Sequence, residues 1–222
     1  MAQTFLYHAL ATGVSGNITL PFQDVIEVQA PSALPFTGGY SASRTEGFRY
    51  KHILSFSSAS TVTTGSESGE FFNTLATATV EGLNILDVVT ADRVVARLAS
   101  KYSKHTREQS ASFAGSHFDN LRIAGYPLDV AIDPERLKSP PRSEKTRFVP
   151  FASPIDLEEC TGLELLEDGA IHLPEFGRIY LAESLVTACY QNICMLRVVL
   201  GCAIKGHTTI GHASTDGEPM PG

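Results

Sequence analysis

With 222 residues, 43 % of them hydrophobic, the chain is long enough to bury a core, and global disorder is excluded. Charged residues make up only 18 % and the net charge is −7, which argues against nucleic acid as the main partner. A phosphate-binding surface needs a basic stripe, and the one basic cluster, Arg136 to Arg147, is broken up by Glu135, Glu144 and prolines.

Ser, Thr, Ala and Gly fill the gap left by charge, and the alternation they sit in predicts strands. Residues 11–29 read as two short strands around Pro21. Residues 30–47, punctuated by Pro31, Pro35, Gly38, Gly39 and Gly47, read as loop. Alternation resumes over 48–64, and Gly65 to Gly69 reads as a turn. The clearest strand signal of the first half runs from Phe71 to Ser100 and breaks at Glu81-Gly82. A helix competes for Ala91 to Lys104, but the paired valines Val94 and Val95 and the preceding Thr90 favour a strand. Lys101 to Ser112 is polar and reads as a hairpin loop. Two short strands are expected around Gly125-Tyr126-Pro127.

Asp133 to Pro154 holds Pro134, Pro140, Pro141, Pro150 and Pro154 in a dense charge mix. It reads as a long irregular loop within one domain, with a helical turn at Pro134 to Lys138. Leu157 to Asp168 reads as a short helix or an edge strand. Phe176 to Thr187 and Ile193 to Cys202 are expected to form a hairpin. A turn centred on Tyr190 sets Ile179, Leu181, Glu183 and Leu185 opposite Gly201, Val199, Arg197 and Met195. Each strand carries one charge among apolar neighbours, and this register makes Glu183 and Arg197 a cross-strand structural pair. The polar, proline-containing stretch 213–222 reads as a flexible tail.

The N-terminus has neither a basic region nor a long apolar one, and no apolar run reaches the length of a membrane-spanning helix. The expectation is a cytoplasmic protein as written, extracellular if a leader was removed, with no membrane insertion. None of Cys160, Cys189, Cys194 and Cys202 forms a C-x-x-C pair, so reduced thiols are expected, with Cys194 and Cys202 as small buried hydrophobes.

Candidate chemistry is sparse. His207 and His212 stand five apart, a spacing that points them to opposite faces of a regular strand and suits no single metal. No H-E-x-x-H, G-x-S-x-G or phosphate-binding glycine motif is present. A catalytic triad drawn from His8, His52, His105 or His117, the last beside Ser116, is a spatial possibility that the sequence does not argue for. Asp87, Asp92, Asp129 and Asp133 lie at expected strand ends without a calcium-loop pattern. Glu183, among Ile179, Leu181 and Leu185, is a candidate general acid, but the structural pair with Arg197 is the favoured reading. No catalytic residue, metal ligand or cofactor is assigned.

Two stretches, Ala76 to Leu86 with Val89 to Ala96, and Gly115 to Gly125, resemble the middle of secreted bacterial proteins of the choice-of-anchor P kind. The opening Thr12 to Pro21 is compatible with their start. The resemblance covers about half the chain and implies a β-rich surface or structural protein. The full expectation is a single all-β domain over 1–212. It is a mostly antiparallel sandwich or flattened solenoid-like stack with at most short helices. Its leading function is non-enzymatic self-assembly as a homo-oligomer. A binding module for a small molecule, glycan or protein is the alternative, and an enzyme with a site in a β cavity is the third reading.

Overall fold

The computed structural model describes residues 5–133, 149–150, 157, 160–186, 191–201 and 203–219. The described chain is all-β and contains no helix. It forms two antiparallel sheets packed face to face, a sandwich rather than a closed barrel or a solenoid.

The first sheet is built from both ends of the chain. Its long strands are β1 (Phe5–Leu20), β15 (Gly177–Val186), β16 (Gln191–Gly201) and β17 (Lys205–Pro219). Short pieces complete it: β2 (Asp24–Gln29), β3 (Ser32–Ala33), β12 (Val149–Pro150), β13 (Glu164–Leu165) and β14 (Ile171–Leu173). The order is β13-β14-β15-β16-β17-β1-β2, with β3 also on β1 and β12 also on β15. The second sheet is contiguous in sequence. It has the meander β4 (Gly39–Tyr50), β5 (Leu54–Ser68), β6 (Phe71–Ile85) and β7 (Val89–Ser103). On the far side of β7 lie β8 (Gln109–Ser112), β9 (His117–Asp119) and β10 (Arg122–Ile123), with β11 (Tyr126–Pro127) beyond β10.

Several sequence readings change here. The opening strand is one sixteen-residue element. Half of the expected 30–47 loop is β4, whose serines and threonines alternate with exposed residues too weakly to read as buried periodicity. Residues 89–103 are strand and not helix. Most of the long loop, including the expected helical turn at 134–138, lies outside the described residues. The expected tail is strand as far as Pro219, because β17 pairs with β1 along its whole length, from Leu20↔Lys205 to Phe5↔Pro219. Backbone pairing to an inner strand outweighs the poor strand propensity of its Asp, Gly and Pro.

Large aliphatic and aromatic residues fill most of the space between the sheets, and where small residues face one another the sheets approach closely. Ala59, Ala76, Ala78 and Ala96 of the second sheet are fully buried. A Cβ at Gly13 would sit 2.9 Å from the Ala59 Cβ, so only glycine fits there. One end is closed by aromatics: the Phe5 ring stacks on Phe72 at 4.3 Å and lies 5.3 Å from Tyr102.

Each sheet is also creased. In the first, ladder pairing skips one row made of Ala182, Met195, Gly211 and Gly13. Ala182 and Gly211 have positive φ, +50° and +62°. The inward set changes parity across this row: Phe5, Tyr7, Ala9 and Ala11 precede it on β1, and Val14 and Ile18 follow. In the second sheet the skipped row is Gly47, Ser57, Gly82 and Asp92, with positive φ at Gly47 and Gly82. A Cβ at Gly82 would collide with Ser57 Oγ. A left-handed residue in every other strand turns all of them together, which bends the sheet without adding a residue to any strand.

Candidate functional site

The crease decides where the Glu183–Arg197 pair forms. The observed hairpin register sets Tyr180 opposite Arg197 and Glu183 opposite Cys194, three residues away from the expected pairing. In a regular strand that offset would put Glu183 and Arg197 on opposite faces. The parity change at Ala182 and Met195 returns both side chains to the outer face, one on each side of the crease. They meet in a bidentate ion pair, with Arg197 Nε donating to Glu183 Oε2 and Nη2 to Oε1, both at 2.7 Å. The guanidinium also stacks on the Tyr180 ring, 3.7 Å from its centroid. The side chains are 7 % exposed for Glu183 and 27 % for Arg197.

Cys194 faces Glu183 on one neighbouring strand and His212 on the other, a row of acid, thiol and imidazole. Its chemistry is closed down. Burial, and then the Glu183 charge, push the Cys194 thiol up to about 12, so it stays protonated and donates to the Leu196 carbonyl at 3.5 Å. Burial also lowers the His212 pKa, keeping the imidazole neutral. Arg197 claims both oxygens of Glu183, so the residues the sequence singled out here are matched to one another. The crease also puts His207 and His212 on the same outer face, contrary to the strand-alternation expectation, yet five residues of strand keep them about 16 Å apart.

The remaining sequence candidates are spread over the molecule. The Ser116 hydroxyl accepts from the Arg97 amide at 2.9 Å and donates to its carbonyl at 3.1 Å, and His117 Nδ1 contacts the Gly115 carbonyl at 2.9 Å. His8 on β1, His52 in the turn between β4 and β5 and His105 in the turn after β7 are exposed and far apart in the chain. Asp87 is held by Asn84 at 2.6 Å and Asp92 by Asn120 at 3.2 Å. Among the described residues no three His, Cys, Asp or Glu side chains group as metal ligands.

The open site lies on the outer face of the second sheet, and sequence reading missed it. A groove of about 340 Å³ runs over β5, β6, β7 and β8. Leu75 and Ala99, directly paired, lie side by side in its floor. Thr64, Ser66, Asn73, Ser110 and Ser112 surround them with hydroxyl and amide groups. Arg97 and Lys101 stand on either side of Ala99, about 13 Å apart along β7. No carboxylate lines the groove, and neither cation has an ion pair among the described residues. Lys101 Nζ lies 3.7 Å over the Phe71 ring, and Tyr40, 65 % exposed, continues the Thr64–Leu75 row onto β4. The signal available in sequence was the outward set of β5 to β7, read only as small residues suited to stacking. Register alone brings Ser66, Asn73, Lys101 and Ser110 into one row.

Fold and groove define an antiparallel β-sandwich with a polar, cationic groove on one outer sheet face. The chain belongs to a family described as a domain of unknown function, DUF8256, whose model matches residues 5–157. That span contains the whole second sheet and its groove, but not β13 to β17. No curated protein matches the chain, and no solved structure does.

Proposed function

We propose that the protein is a carbohydrate-binding module whose groove takes an acidic glycan. The observation that carries this reading is a groove of ligand size, lined by hydroxyls, an amide and two cations that have no ion pair among the described residues, in a chain of net charge −7. Hydroxyl and amide side chains both donate and accept, as sugar hydroxyls require. Two cations about 13 Å apart suit carboxylates repeated along an extended chain better than one compact anion. Tyr40, 65 % exposed beside Thr64, offers a ring face to a sugar.

The test is titration calorimetry with oligogalacturonate against a neutral malto-oligosaccharide of equal length. Binding of the acidic oligosaccharide alone, weakened by salt and abolished in Arg97→Ala/Lys101→Ala, is the expected result. Equal binding of both sugars, binding of neither, or a variant that binds as tightly as the parent would overturn it.

A further inference from the structure

A sheet edge offers unpaired backbone groups to any passing strand, and proteins guard such edges by keeping them short or placing repelling charge on them. Among the described residues every edge strand but one follows that rule, β3, β8, β9 and β12 being at most four residues long. β13 and β11 have two residues each. β2 has six and carries Asp24 and Glu27 with no base among its own residues, so two copies repel. β4 is different. It has twelve residues, it is the terminal strand of the second sheet, and it contains neither lysine nor proline.

Its charges are self-complementary. Arg44 and Glu46 point outward together, 63 % and 68 % exposed, and pair with each other at 2.7 Å. Turned antiparallel against its own copy about Thr45, the strand sets each Arg44 opposite the other chain's Glu46, outward side chain against outward side chain, in the stretch that ends at the Gly47 crease. Centring the axis on Arg44 or on Glu46 opposes like charges. Centring it between residues sets outward side chains against inward ones, which breaks the pleat.

We propose that this protein forms a two-fold dimer by antiparallel pairing of β4 with the β4 strand of a second copy, in the register that faces Arg44 with Glu46. The interface is isologous and closes on itself, so it ends at two chains and does not grow into a fibre. A two-fold axis between antiparallel edge strands stands perpendicular to the sheet. Both outer faces, and both grooves, therefore look the same way.

The test is the molar mass of the full chain by light scattering across a concentration series. The parent protein is run beside Arg44→Glu, Glu46→Arg and the double exchange, with circular dichroism confirming that these exposed substitutions leave the fold intact. The parent is expected to approach twice its monomer mass. Each single exchange, by placing like charges opposite each other twice, is expected to raise the dissociation constant roughly tenfold or more. The double exchange is expected to restore it. A parent that stays monomeric, a higher open-ended mass, single exchanges without effect, or a double exchange that fails to restore dimerisation would each overturn the proposal. Glycan binding by the monomer is measured separately, so loss of the dimer does not decide the groove's function.

Discussion

Removing Arg197 tests what the crease does for the protein. In Arg197→Met the Glu183 carboxylate, 7 % exposed, keeps its place on the first sheet and loses both of its 2.7 Å donors. Breaking a fully buried pair by deleting one partner costs about 3–5 kcal/mol. Arg197 is 27 % exposed, so water relieves part of that cost, and about 3 kcal/mol is the expected loss. Methionine still covers the Tyr180 ring, which limits the loss of stacking. Glu183→Gln is milder, about 1–2 kcal/mol, because the freed guanidinium can reach solvent. The double variant Glu183→Gln/Arg197→Met is expected to recover at least about 1 kcal/mol relative to the sum of the singles. Urea unfolding reads all three. With a slope of about 2–3 kcal/mol per molar, Arg197→Met moves the midpoint by about 1 M. If both single variants shift the midpoint negligibly, or if the double variant equals their sum, the pair is screened and the reasoning fails.

The other predictions concern groups whose ionisation the fold displaces. Cys194 should resist alkylation in the native protein and react only on unfolding, as followed residue by residue by mass spectrometry; rapid native labelling would contradict a buried, protonated thiol. His212 has its folded pKa lowered by burial, so the stability it supports is complete above its unfolded pKa of about 6.5 and is lost as pH falls toward the folded value. His212→Gln should flatten the stability profile across that acidic window in urea melts. Tyr50, pushed up to about 12 by burial and by the 2.5 Å hydrogen bond it donates to Asp24, contributes stability below its unfolded pKa near 10, and this is lost as pH rises toward 12. Ultraviolet titration should show a tyrosine ionising near 12 that disappears in Tyr50→Phe, while Tyr7, also raised by burial, still ionises late in the variant. Valine at Gly13 would press on the Ala59 Cβ and the Gln29 carbonyl, and is expected to lower stability by about 1–3 kcal/mol in thermal melts.

The all-β class was legible because β-branched and small residues alternate on either side of the Glu81-Gly82 break between Phe71 and Ser100, and that stretch did become β6 and β7. The pairing of Glu183 with Arg197 was legible from two lone charges in apolar strands, but the register was not. Alternation assumes one handedness of backbone along the whole strand, and Ala182, a non-glycine residue at positive φ, gives no sign of breaking it. The β4 strand was hidden for the same kind of reason: its glycines at 39 and 47 read as loop, whereas one begins the strand and the other creases it. The groove could not be seen at all, since Thr64, Leu75, Ala99 and Ser112 stand far apart in sequence and become one row only through three successive registers.

The pairing of β1 with β17 has a consequence for how the chain acquires its structure. The second sheet can assemble from consecutive hairpins while the rest is still being synthesised, whereas β1 must wait for residues 205–219 to find its neighbour. Closing a loop of that size is slow relative to hairpin formation, and the apolar inner face of the early sheet stays uncovered meanwhile. β17 thus acts as the latch of the whole sandwich. A ribosome-released chain missing only β17 would hold a finished groove on an unfinished protein.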